Sequence, residues 1–490
     1  MKRCSLLLYA LIMVGCSNTQ EIASNSESVF SVDNDSKEIG SFSLSSIEEL
    51  SSSEIMSSSD DIESSTSSEE NLSISESIFE SSTEEIIENE YIFPKMYVNT
   101  EYGRTINSKE TYINCNVSIT DSLFNIANVE AGIRGRGNST WAWAKKPYRI
   151  KFNEKQGLFG YGKAKSWTLI ANHCDLSLAR NYLALNLSKN TDDIGFTSTA
   201  TYCSLYLNGS YQGLYLVCDQ IQSGKTRINI NEELNGDPAA TGYLLEMDVK
   251  DRVVSEGKIE GIDYFTIGTD TSKAYVIKTP DTEDNLYNEV YFNYIKNYLE
   301  GVNTYLTAKA TKENYDILAS IIDVNSFADT YIISELFNNC DVGWSMYMYK
   351  DANDKLRSGP IWDFDISSGN CAYHPSSCDP TTMWARGGSG WYANLFRFEE
   401  FRELVCDKMA IYKDRFAKII DDEVDNLLLY EDEFNKNFEK WKILGVGVNM
   451  GTNPISTETM LSFSTWKEQI LYLQEWLHES LDAMASEYGK

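Results

Sequence analysis

The sequence predicts an α+β fold in two lobes, β-rich over about residues 91–280 and α-rich over about 281–490. Three observations predict it. From Phe93 to about Lys250, short apolar runs alternate with polar residues and break at Gly, Asn and Asp, the pattern of half-buried strands. After Pro280 the period lengthens to that of helices, in 286–299, 315–322 and 325–339, and again from Tyr392 to the end. Between these helical stretches, 338–369 (NNCDVGWSMYMYKDANDKLRSGPIWDFDISSG) reads as a hairpin that carries three acids.

The first 16 residues are of another kind. Lys2 and Arg3, an apolar run from Leu6 to Val14 and then Gly15-Cys16-Ser17 read as a bacterial lipoprotein signal, with Cys16 the lipidated residue. The run is too short to span a bilayer. This predicts a protein held by its N-terminal lipid on the extracytoplasmic face of a bacterial membrane. The alternative is an ordinary secretory signal with an incidental Cys. Residues 17–90 contain 25 Ser and 19 Asp or Glu against one Lys, so they carry −18 of the chain's −31. Such a segment cannot bury enough surface to order itself and is expected to be a disordered tether. Ser beside Asp and Glu also reads as a phosphoacceptor tract. Residues 91–490 keep a net charge of −15 and hold no basic low-complexity tract, which argues against nucleic acid as a partner.

Eight Cys follow the signal, none in a CxxC pair, and the chain has only His173, His374 and His478. A structural zinc site and a His-based nucleophilic triad both lack material. Cys371 with Cys378 is the simplest disulfide to expect outside the membrane, although spacing does not fix connectivity.

Within the β-rich stretch, EAGIRGRGN (130–138) is glycine-rich and basic. Its backbone can approach a ligand closely, and Arg134 and Arg136 offer forked donors suited to phosphate. In PYRIKF, alternation puts Arg149 and Lys151 on one strand face with Tyr148, Ile150 and Phe152 on the other. Those cations suit an anionic phosphate tail or a plain solvated face. Asp175 is expected to N-cap a helix carrying Leu176, Ala179, Leu183 and Leu187, with His173 a satisfied core residue. TYCSLYLNGSYQGLYLVC (201–218) is a hairpin turning at Asn208-Gly209. TGYLLEMD (241–248) is a buried strand ending in acids, and 275–280 closes the lobe.

In the C-terminal lobe, SMYMYK is a strand with Met346, Met348 and Lys350 on one face and Tyr347 and Tyr349 on the other. DANDK is its turn, and the return run brings Asp363 back towards Asp341. Asp residues beside a hairpin are commonly caps. Here, however, Asp363 and Asp365 sit inside Ile361-Trp362-Asp363-Phe364-Asp365-Ile366, where ionised acids are costly unless a cation meets them. Carboxylates converging there make an oxygen site suited to Mg²⁺. On the later helices Lys408, Lys413 and Arg415 read as solvated faces.

Several motifs in order, RGRGNSTW (134–141), KKPYRIKF (145–152), WTLIANxxDxSxxRN (167–181), LYLNGSYQGLYLV (205–217), GYLLEMD (242–248) and the NxD…WDFD block, resemble the CotH kinase family, the spore-coat-protein-H-like atypical protein kinases. The likeness covers roughly 93–415. It implies a two-lobed, atypical protein-kinase-like fold that uses ATP with Mg²⁺ or Mn²⁺ to phosphorylate Ser on secreted or coat proteins. It implies Asp341 as the catalytic acid, Asp363 and then Asp365 (with Asp341) at the metal, Asn339 as support, and Arg134, Arg136, Arg149 and Lys151 as phosphate contacts. One departure is Asp219, where the family pattern has Glu. The competing reading is a catalytically inactive, kinase-like surface adhesion or scaffold protein that binds a protein or carbohydrate partner. A carboxylate-pair glycosidase finds no matching motif.

Overall fold

The front strands close on themselves. In the computed structural model, which describes residues 92–489, β1 (Lys95–Thr100), β2 (Ile113–Thr120), β3 (Ile126–Gly135), β4 (Tyr148–Gln156), β5 (Ala164–Ile170), β6 (Ala200–Leu207) and β7 (Ser210–Asp219) form a closed barrel. The strand order is β1-β2-β3-β4-β5-β7-β6, sealed by the parallel pairing of β1 with β6. Val98, Val117, Ile133, Ile150, Trp167, Leu205 and Val217 fill the interior, so the barrel is a packed core and not a pore. The alternation in β4 holds: Arg149 pairs with Arg134 and Lys151 with Gly132 across β3, on the outer surface. The β6–β7 turn lies at Asn208 and Gly209, with φ of 50° and 78°, the left-handed pair that a two-residue hairpin turn requires.

The helix expected at Asp175 starts later. α1 spans Arg180–Ser188. Asp175 is not its N-cap residue, which is Ala179, but reaches its first amide from five residues upstream. Its carboxylate accepts from Ser177 N at 3.0 Å and Arg180 N at 2.9 Å, holding 176–179 as a tight turn in which Leu178 has φ 60°.

A second sheet takes strands from both sides of residue 280. β8 (Tyr243–Val249), β9 (Tyr264–Phe265), β10 (Lys273–Thr279), β11 (Ser345–Lys350) and β12 (Leu356–Ser358) run in the order β12-β11-β8-β10-β9. The strands expected to close the front lobe therefore pair with the acid-bearing hairpin and not with the barrel. Register places Tyr347 opposite Glu246 and Ser345 opposite Asp248. Tyr243, Leu245, Met247, Met346 and Met348 join the main core, while Tyr347 and Tyr349 pack in a separate cluster with Leu244. α2 (Lys250–Ser255) follows β8 directly.

The remaining helices are α3 (Glu289–Thr307), α4 (Lys312–Ile321), α5 (Val324–Leu336), α6 (Trp384–Gly388), α7 (Gly390–Leu395), α8 (Glu399–Leu428), α9 (Glu431–Lys440), α10 (Glu458–Ser462) and α11 (Trp466–Tyr488). Asn288, Thr311 and Asp323 cap α3, α4 and α5, and Thr465 with Glu468 forms a capping box on α11. α5 is buried all round, with α8 packed on it and α11 along α8. Lys408 on α8 is not solvated: it is 6% exposed and bridges Asp193 at 2.6 Å and Asp329 at 2.8 Å. Lys413 and Arg415 stay at the surface, paired with Asp482 and Asp192. Cys371 bonds to Cys340, not to Cys378. The loop after Asp365 runs back beside the end of α5, where Cys340 N donates to Ile366 O, while the Cys378 thiol points at the carbonyls of Gly369 and Cys371. Among the described residues no helix is long and apolar enough to cross a membrane. Cys16 and the Ser-rich stretch lie outside the described residues.

Candidate active site

The site starts at α1. Arg180 is fully buried, pairs with Asp175 at 2.5 Å and donates to the carbonyls of Ser367 and Ser368 at 2.8 and 2.9 Å. Its neighbour Asn181 accepts from Phe364 N at 2.8 Å and donates to Asn172 at 3.0 Å. The Arg-Asn pair thus moulds the WDFD loop from behind. Asp363 adopts φ 67°, an uncommon conformation for a residue with a side chain, which this clamp holds in place. From the other side Asn339 accepts from Asp341 N at 2.9 Å and reaches Asp363 O at 3.4 Å.

These contacts bring Asp341, Asp363 and Asp365 to the wall of one cleft of about 230 Å³, together with Arg136, Glu246 and Arg252. The cleft lies between the barrel, through Arg136 to Pro147, and the second sheet with the WDFD loop. Burial and the facing Asp363 push the Asp341 carboxyl up to about 7, with Arg252 opposing. Burial also raises Asp363, against the pull of Arg136 and Arg252. Burial and the Asp363 charge raise Asp365 well above the usual carboxylate range, and Cys174 Sγ lies 3.4 Å from its Oδ2. Burial first, and for Asp341 and Asp365 the neighbouring Asp363 charge, thus disfavour the ionised acids, a cost that a bound cation would offset.

Arg136 lies 5.3 Å over the Trp362 ring and faces the acids. Arg134, Arg149 and Lys151 do not line the cleft; they continue outward along the barrel surface. Sequence reasoning missed Arg252. It is held by Asp248 four residues earlier, across the junction of β8 and α2, with Nε at 2.8 Å from Oδ2 and Nη2 bonded to Oδ1. The Asp-x-x-x-Arg spacing was the available signal. Glu246 accepts from Tyr347 at 2.8 Å and Lys278 at 3.0 Å; burial pushes its carboxyl up, but Lys278 and Tyr347 outweigh it and hold it below the usual range. His173 is buried as expected, between Trp143 and Trp441, yet its Nδ1 has no partner.

Among the described residues no group of three or more His, Cys, Asp or Glu side chains could hold a metal ion as placed. A Mg²⁺ ion delivered with a nucleotide needs less, because one or two carboxylates, phosphate oxygens and water complete its shell. The all-oxygen, mutually repelling acids fit that demand. The cleft therefore offers carboxylates on one side and two guanidinium groups facing them, the charge arrangement of a phosphoryl-transfer site.

The CotH kinase protein family model matches residues 133–484. No curated protein matches the chain. The match begins inside β3, so β1 and β2 fall outside it, and it extends past the expected limit at 415 into α11. It includes every residue that lines the cleft. With most of its length so matched and its acids gathered at one cleft, the chain belongs to the CotH kinase family.

Proposed function

We propose that the protein is an atypical protein kinase that transfers the γ-phosphate of ATP to Ser hydroxyls of secreted or surface proteins. Its expected place is the extracytoplasmic face of a bacterial membrane, held through lipid on Cys16. The observation that carries the reading is the meeting of Asp341 and Asp363 with Arg136 and Arg252 in one cleft of a CotH kinase family chain. Asp341 accepts the proton of the Ser hydroxyl as its oxygen bonds to the γ-phosphorus. The bond from that phosphorus to the β,γ-bridging oxygen breaks, and ADP leaves. Arg136 and Arg252 face the phosphates, and Asn339 fixes Asp341 relative to the Asp363 backbone. Asp363 and Asp365 would hold Mg²⁺ or Mn²⁺, which neutralises phosphate charge when bound. In this reading the barrel and the second sheet with its helices would serve as the two lobes of a kinase.

Incubating the full chain with labelled ATP, Mg²⁺ and a Ser-containing peptide tests this. Transfer is expected, with Asp341→Asn and Asp363→Asn each lowering kcat by roughly 10²-fold or more. Equal transfer by both variants and the parent chain would remove the cleft from the chemistry. Calorimetry that detects no nucleotide binding would return the case to the adhesion reading.

A further inference from the structure

The cations of β3, β4 and the start of the loop between them form a second feature, of which Arg136 alone lines the cleft. Residues 91–170 carry twelve Lys and Arg against five Asp and Glu, a net +7 in a chain of −31. Most of the other Arg side chains are in ion pairs, among them Arg180, Arg227, Arg252, Arg357, Arg386 and Arg415. Arg134, Arg136, Arg149 and Lys151 form none among the described residues, although β3–β4 register sets Arg134 against Arg149 and Lys151 one step further on. Arg134 stacks 5.1 Å over Tyr112, Arg149 donates to Ser166 at 3.2 Å, and the Nε atoms of both are shielded from solvent without an acceptor. After burial and the opposing Tyr112, Arg134 and Arg136 further lower the Arg149 pKa, as crowded like charges do. Lys151 is exposed at the outer end, and Arg136 lines the cleft at the inner end.

We propose that this stripe is the docking track for an acidic, Ser-bearing polypeptide segment, the acceptor class of the cleft beside it. The transfer step rests on the kinase reading; the docking does not. Arg149 and Lys151 project two residues apart on one strand, about 6.6 Å, the spacing at which an extended peptide presents alternate side chains. Acids at every second position therefore match the stripe, and a Ser beyond them reaches the cleft past Arg136. A negatively charged protein needs such a track, because without it an acidic acceptor is repelled. Residues 17–90, with 25 Ser and 19 acids, have this chemistry, so acceptors of the class accompany every copy of the protein.

The test uses the full chain and a fluorescent peptide copying residues 57–70, SSSDDIESSTSSEE, beside a control with its acids replaced by Asn and Gln. Anisotropy without nucleotide should show the acidic peptide bound more tightly, the binding weakening as salt rises. Lys151→Glu and Arg149→Gln should each raise its Kd at least fivefold and raise the peptide KM likewise, while the KM for ATP stays within twofold. Equal binding of both peptides, or unchanged Kd in both variants, overturns the proposal. A matching rise in the KM for ATP would assign the stripe to nucleotide phosphate instead. Loss confined to anionic phosphatidylglycerol vesicles would make it a membrane face. Selective binding with no phosphate transfer upholds the docking track and removes the kinase reading.

Discussion

His173 shows what one buried side chain does to the pH response. It is 6% exposed between Trp143 and Trp441, and burial, helped by Lys145, lowers its pKa to about 4 from an ordinary 6.5. Between those values the unfolded chain holds the proton and the folded one does not, so stability falls as pH drops from 6.5 towards 4 and levels off below. The shift corresponds to roughly 3 kcal/mol. Urea unfolding of the parent chain and His173→Gln across that range should show a shallower acid loss in the variant. Parallel curves would mean that His173 is protonated in the folded state. The acids are legible at this scale because charged side chains inside an apolar run demand a reason. Arg252 is harder to read: its role depends on Asp248 ending β8 at the cleft, a placement set by pairing with β11.

At the scale of the element, α1 and the turn before it form the brace of the site. Arg180 ties Asp175 to the carbonyls of Ser367 and Ser368, so Arg180→Ala leaves the buried Asp175 charge without its cation and removes the side-chain donors from both carbonyls. Breaking a buried pair this way costs about 3–5 kcal/mol. The midpoint of denaturant unfolding should fall accordingly, and Arg180→Lys should recover only part of it, because an ammonium cannot reproduce the forked donation. A change under 1 kcal/mol would show that the brace is not structural. The sequence shows the apolar face of this helix but not its start, since a carboxylate that binds its own downstream backbone looks like an N-cap in a linear reading. The disulfide is misread for a similar reason: Cys378 is near Cys371 in sequence, yet the loop return presents Cys340.

For the whole molecule, alternation and period foretell strands first and helices later, and both are found. What they leave open is which strands pair. β8 and β10 precede the helix-rich stretch that begins at α3 but join β11 and β12, because register there buries Met247 and Met346 in the main core and turns Glu246 towards the cleft. Sheet membership is a long-range property that local period does not encode. The barrel and this second sheet thus flank the acids, whose proposed role is to grip a cation that arrives with the nucleotide. A crystal structure of the full chain with Mg²⁺ and a non-hydrolysable ATP analogue tests it most directly. The metal is expected on the Asp363 carboxylate at roughly 2.1 Å and the γ-phosphate facing Asp341 and Arg136. A nucleotide seated elsewhere, such as the cavity of about 340 Å³ beside Trp391, with no metal on Asp363, would contradict it.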